Sequence, residues 1–129
     1  MKIAVLLRYM QFYAHMGHNL LGGKTFFQDH SFLGDLYGAY EDEYDSVVER
    51  MIGLGEELDL IKVHENAAAA LDKPESYEKC FNELLTCEEH LCKMIEEVVK
   101  ESSQGTMQLL GGIADNSEMR QYKLKQRLK

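Results

Sequence analysis

The sequence predicts an all-α bundle of four long helices, with a short extra helix in the long connection between the second and third. Apolar residues recur at three- and four-residue steps along most of the chain, the period of a helix with one buried face. No segment alternates apolar and polar residues as a half-buried strand would. The single proline, Pro74, falls in the longest connection rather than inside a periodic stretch.

The first helix is expected from about Lys2 to Leu21, with Ile3, Leu6, Leu7, Met10, Tyr13 and Leu20 inward, and Gly22 and Gly23 breaking it. The second is expected from about Thr25 to Leu54. Its stripe is Leu33, Leu36, Tyr37, Tyr40, Tyr44, Val47, Val48 and Met51, and Gly53 and Gly55 end it. The link GEELDLIKVHENAAAALDKPES holds a short helix around Leu58 to Ala69. Pro74 suits the first turn of the third helix, capped by Asp72 or Lys73 and running to about Ser102. Its inward set is Tyr77, Phe81, Leu84, Leu85, Leu91, Met94, Ile95 and Val98. ESSQG reads as a turn, and the last helix as Thr106 to about Leu128. Such a long link suits a crossover connection; a plain up-down bundle needs only a few residues there. Met10, Met16, Met51, Met94 and Met107 read as gap fillers in the core.

With 129 residues the chain is sized for one domain, residues 1–129. A hydrophobic share of 45% beside 28% charged residues excludes a disordered tract. The apolar run IAVLL is too short to span a membrane, so no membrane partner is expected. No signal peptide is visible. Cys80, Cys87 and Cys92 are odd in number and lie on one helical pattern, so a disulfide framework is not expected. The implied setting is a reducing cytoplasm. A net charge of −8 opposes DNA binding, and the only basic candidate is Arg120 to Lys129, RQYKLKQRLK, whose cations also suit a helix C-terminus.

The chemistry lies in the histidines and acids. The residues three before each His are Phe12, His15, Phe27, Ile61 and Cys87, so the Glu-x-x-His pairs of a metal site inside one bundle are absent. His15 and His18 share one face of the first helix, and a short turn sets His18 beside His30. Asp45 and Glu49 share a face further along the second helix. Imidazole and carboxylate together suit Fe(II). His30 and Asp45 stand fifteen residues apart, about 22 Å along a helix, so they cannot hold one ion within a chain. An antiparallel copy of the second helix across a two-fold axis would bring the Asp45 and Glu49 of the partner subunit to His18 and His30.

The spacing of His15-x-x-His18, then His30 after FFQD, then Asp45-x-x-x-Glu49 in YDSVVER resembles the Dps family, the ferritin-like mini-cages named for DNA protection in starved cells. Leu36–Tyr37 and the GLG at 53–55 add to the likeness, which is close over the first two helices and looser beyond. The resemblance implies a ferritin-like four-helix bundle assembled as a hollow dodecamer. It also implies ferroxidase centres at the two-fold interfaces, with His18, His30, Asp45 and Glu49 as catalytic and metal residues. Fe is the implied metal, as a mono- or di-iron centre, with Zn as a possible substitute. The implied activity is oxidation of Fe(II) by hydrogen peroxide, storage of the ferric mineral and protection from oxidative damage. The less secure ligand positions are His15 and Asp35: the family's acid four residues after the second His is here Gly34, with Asp35 next door. The family's Trp after the first motif His is Asn19, and its basic N-terminal arm has no counterpart, so DNA binding is expected to be weak at most. The alternative is a structural or DNA-associated cage with weakened or absent ferroxidase activity. His64 and His90 read as ordinary surface or core residues.

Overall fold

The computed structural model describes residues 1–129. Five helices follow in order: α1 (Lys2–Leu20), α2 (Phe26–Gly53), α3 (Leu60–Ala69), α4 (Tyr77–Val99) and α5 (Gln104–Arg127). There is no strand, and no helix is long and apolar enough to cross a membrane.

Each start has a local cause. Asp59, Ser76 and Ser103 cap α3, α4 and α5 by accepting a hydrogen bond from the backbone N–H three residues on. The expected cap at Asp72 or Lys73 is therefore displaced to Ser76, and buried Pro74 lies before the helix rather than in its first turn. A serine oxygen satisfies an orphan N–H that a preceding Lys cannot. Likewise Gln104 and Gly105, expected in a turn, form the first turn of α5 behind Ser103. Between α1 and α2, Gly23 takes φ +117°, a conformation an L side chain rarely adopts, so the reversal is completed in a few residues.

α1–α2 and α4–α5 are the two hairpins, joined mainly where α1 packs on α4, with α3 laid against α1. The direction of each helix follows from its neighbours at the ends. Ile3, Met51, Val98 and Thr106 line one cleft, so α1 and α5 begin where α2 and α4 finish. At the other end Tyr77 donates to the carbonyl of Leu21, and Arg127 reaches Asp29. The link after α2 must therefore travel the length of the bundle, and α3 sits within that crossover.

One apolar core unites the helices through Leu7, Met10, Leu33, Tyr40, Phe81, Leu84, Leu91 and Leu124, all fully enclosed. Leu20, expected inward, is 55% exposed in the last turn of α1. Val98 and Met107 are also exposed near the α4–α5 turn, while Met16, Met51 and Met94 are partly buried and Met10 wholly so. The tyrosine stripe packs as expected: Tyr40 and Tyr44 are buried and Tyr37 half-buried.

Candidate metal centre

His18 stands near the end of α1 and His30 just inside α2, so the tight α1–α2 turn sets them side by side. Their rings stack with centres 3.6 Å apart and planes inclined by 17°. The Nδ1 of His18 lies 2.7 Å from the carbonyl oxygen of His30, and the Nδ1 of His30 lies 2.8 Å from that of His18. A carbonyl only accepts, so both Nδ1 atoms carry their proton and donate. In a neutral imidazole this leaves Nε2 as the bare nitrogen, the tautomer that ligates a metal.

Aromatic rings hold the pair from both sides. Phe26 stacks on His30 at 4.6 Å, Tyr37 meets His18 edge-on at 5.3 Å, and His15 stacks on Tyr37 at 4.0 Å. His15, itself exposed, therefore supports the ring that orients His18. Gly34 supplies the room. A Cβ at this position would stand 3.3 Å from Cε1 and 3.4 Å from Nδ1 of His18, tighter than ordinary contact.

The acids lie elsewhere. Asp45 and Glu49 are exposed on the far half of α2. Asp35 is exposed and lines the groove between α2 and α5 together with Asp42 and Asp115. One residue turns a helical side chain by about 100°, so where Gly34 faces His18, Asp35 faces α5. No three His, Cys, Asp or Glu side chains of one chain gather as a metal site.

Next to this end, Arg127 donates from Nε and Nη2 to the two carboxylate oxygens of Asp29, at 2.9 and 2.8 Å, and Thr25 adds its hydroxyl at 2.6 Å. Burial works to raise the Asp29 pKa, but the bonds from Arg127 and Thr25 outweigh it and hold the carboxyl below its ordinary value. Asp29 immediately precedes His30, so the last turn of α5 anchors the first turn of α2.

The sequence reading missed a buried charged network. Within the acidic run EDEYDSVVER, Glu43 is only 7% exposed. Arg120 binds Glu43 through Nη1 at 2.9 Å and Nη2 at 2.8 Å, and Glu88 through Nε at 2.6 Å and Nη2 at 3.2 Å. Tyr40 donates to Glu88 at 2.7 Å, and Asn116 to Glu43 at 3.1 Å. Burial would lower the Arg120 pKa, but its bonds to both glutamates raise it instead. The Tyr40 phenol is pushed well up, first by burial and then by Glu88. The signal was available: Glu43 continues the three-residue step from Tyr40, on the inward stripe.

Two of the five cations between Arg120 and Lys129 are thus tied up inside the chain, leaving Lys123, Lys125 and Lys129 exposed. The cysteines are free. Burial pushes the Cys80 thiol up to about 12 and raises Cys87 as well, so neither offers a thiolate. His64 donates from Nδ1 to the Leu60 carbonyl at 2.6 Å within α3, and His90 is exposed beside the end cleft.

No curated protein sequence matches the chain. Among solved structures, Dps from Listeria innocua soaked with zinc is 22% identical, with a TM-score of 0.78 over 98% of this chain and 95% of that one. Antigen TpF1 from Treponema pallidum is 17% identical, with a TM-score of 0.80 over 99% and 92%. CAIP from Helicobacter cinaedi is 22% identical, with a TM-score of 0.76 over 98% and 99%. These likenesses show the same fold across nearly the whole length of each chain. The model of the ferritin-like domain matches residues 2–129, and the chain therefore belongs to the ferritin-like family.

Proposed function

We propose that the chain is a ferroxidase and iron-storage mini-ferritin of the Dps type, taking Fe(II) as substrate at sites shared between two subunits. The observation that carries this reading is the reciprocal bonding of His18 and His30. It fixes both imidazoles as Nε2 donors before any metal arrives, the second-sphere arrangement typical of histidine ligands. Two neutral nitrogens do not complete a site for Fe(II), and a single chain offers no third ligand nearby. The missing oxygens come from Asp45 and Glu49 of the partner subunit.

The pairing register follows from the chain. If His30 faces Asp45 of an antiparallel α2, the two-fold axis passes between Tyr37 and Gly38, the midpoint of that interval. A Cβ added at Gly38 meets nothing within 4 Å, so the helix is open to a close neighbour there. The axis generates two equivalent sites per pair. Hydrogen peroxide as oxidant takes one electron from each of two Fe(II), and the ferric product is stored within a closed dodecamer, which protects the cytoplasm from both reactants. Zn(II) would occupy the same nitrogen and oxygen donors as a redox-inert substitute.

A second reading is a structural cage of the same assembly with little ferroxidase activity, and Gly34 favours it. The space where an additional carboxylate could stand is closed by the His18 ring. Adding hydrogen peroxide to anaerobic Fe(II) with and without the protein separates the two. Fast, saturable oxidation that leaves soluble ferric iron supports the ferroxidase. A rate equal to the protein-free control replaces it with the cage.

A further inference from the structure

An axis that sets His30 against Asp45 of the partner subunit also fixes the other pairings along α2. Each is centred on the same point between Tyr37 and Gly38, so Gly34 falls opposite Glu41 of the partner subunit. Glu41 stands on the right face for this. At about 100° per residue, His30, Gly34, Glu41 and Asp45 lie within about 60° of one another around the helix. The neighbouring acid does not share that face, since Asp42 turns with Asp35 into the groove against α5. Glu41 is exposed and joins no ion pair within its own chain, whereas Glu43 is bound by Arg120.

Gly34 makes a carboxylate from the other chain the one that fits. The His18 ring lies 3.3 Å from the place of a Cβ at position 34, so α2 cannot carry a longer side chain there without displacing that ring. Only that ring stands within 4 Å of the place, and both imidazoles are half-buried, so one side of the pair is open to a neighbour. Within its own chain Glu41 is eleven residues beyond His30, about 16 Å along the helix, and out of reach. Across the axis it stands a single helical turn from the level of His30.

Building on the reading of this site as shared between subunits, we infer that Glu41 of the partner subunit is a third carboxylate ligand for the divalent cation, beside the partner's Asp45 and the partner's Glu49. Hydrogen peroxide draws one electron from each of two Fe(II), and two imidazoles with two carboxylates are few donors for two ions. A third carboxylate supplies a hard oxygen donor and offsets more of their charge.

The test is calorimetric titration of the assembled protein with Co(II). Glu41→Gln keeps the size of an exposed side chain and removes its charge. It should weaken Co(II) binding at least roughly tenfold, the lower end of what disturbing a ligand's support costs a metal site. Asp42→Asn removes an equal charge one residue on and should leave binding unchanged. Mixing His30→Ala chains with Glu41→Gln chains should restore one site of parent affinity in each mixed pair, because the intact imidazoles of one chain meet the intact acids of the other. If Glu41→Gln binds Co(II) like the parent while Asp45→Asn binds it weakly, this inference falls and the shared site stands. Equal losses in Glu41→Gln and Asp42→Asn, or no recovery in mixed pairs confirmed by native mass spectrometry, also overturn it. A parent that binds no Co(II), or one indifferent to Asp45→Asn, overturns the shared site and Glu41 with it.

Discussion

His18 and His30 each donate the Nδ1 proton to the other's main-chain carbonyl, so two residues twelve apart lock each other's ring and tautomer across one turn. Removing either ring takes away one ligand nitrogen and the other ring's stacking partner, while the main-chain acceptor stays in place. His18→Ala and His30→Ala should therefore each lower the rate of peroxide-driven Fe(II) oxidation to the protein-free level. Circular dichroism should remain that of the parent, since both side chains are only half-buried. Stopped-flow ferric absorbance checks the rate.

The proposed sharing of a site between two subunits makes a sharper prediction through mixed assemblies. His30→Ala and Asp45→Ala should each be inactive alone. Refolded together, a pair containing one chain of each type rebuilds one intact site from the good halves. With random pairing about a quarter of the parent activity should return. No recovery, with mixed pairs confirmed by native mass spectrometry, would place the two residues in different sites.

Gly34 and Gly38 should separate folding from function. Alanine gains about 1 kcal/mol over glycine in a helix interior. At Gly34 that gain is offset by the 3.3 Å approach to the His18 ring. Gly34→Ala should leave the melting temperature nearly unchanged while weakening Co(II) binding about tenfold, the lower end of the effect of disturbing a ligand's support. Gly38→Trp meets open space in the monomer and should fold, yet light scattering should show that two-fold pairing is lost.

The Asp29–Arg127 pair should give a signature at acid pH. The Asp29 pKa is depressed in the folded chain, so its stabilising contribution is complete above the ordinary carboxylate value of about 3.9 and fades as pH falls through the folded value. Urea midpoints should therefore fall more steeply below about pH 4 in the parent than in Asp29→Asn, which lacks that titration. Parallel curves would show that the pair contributes nothing to the acid limb.

Inside the core, Tyr40→Phe removes one donor from a fully buried carboxylate. A hydrogen bond to a charged group contributes about 1.5–3 kcal/mol, and the variant should lose stability on that scale in chemical denaturation. Phe32→Leu, at a partly buried position packed against Phe81, should cost less.

The sequence by itself determined the four long helices, the short helix in the crossover and the pairing of His18 with His30. All three rest on local rules: the helical period, the Gly22–Gly23 break and the span of a short turn. It also placed Asp45 and Glu49 out of reach of those histidines, because helical rise per residue is fixed. Tertiary structure decided what local rules cannot express. Glu43 reads as one acid in an acidic run until α4 and α5 bring Glu88 and Arg120 against it. Arg127 reads as part of a basic tail until the end of α5 meets Asp29 on α2. A side chain's charge is written in the sequence; whether that charge faces solvent or a buried partner depends on which helix faces are packed together. Apolar periodicity reports those faces one helix at a time, and only the assembled bundle shows which charges they enclose.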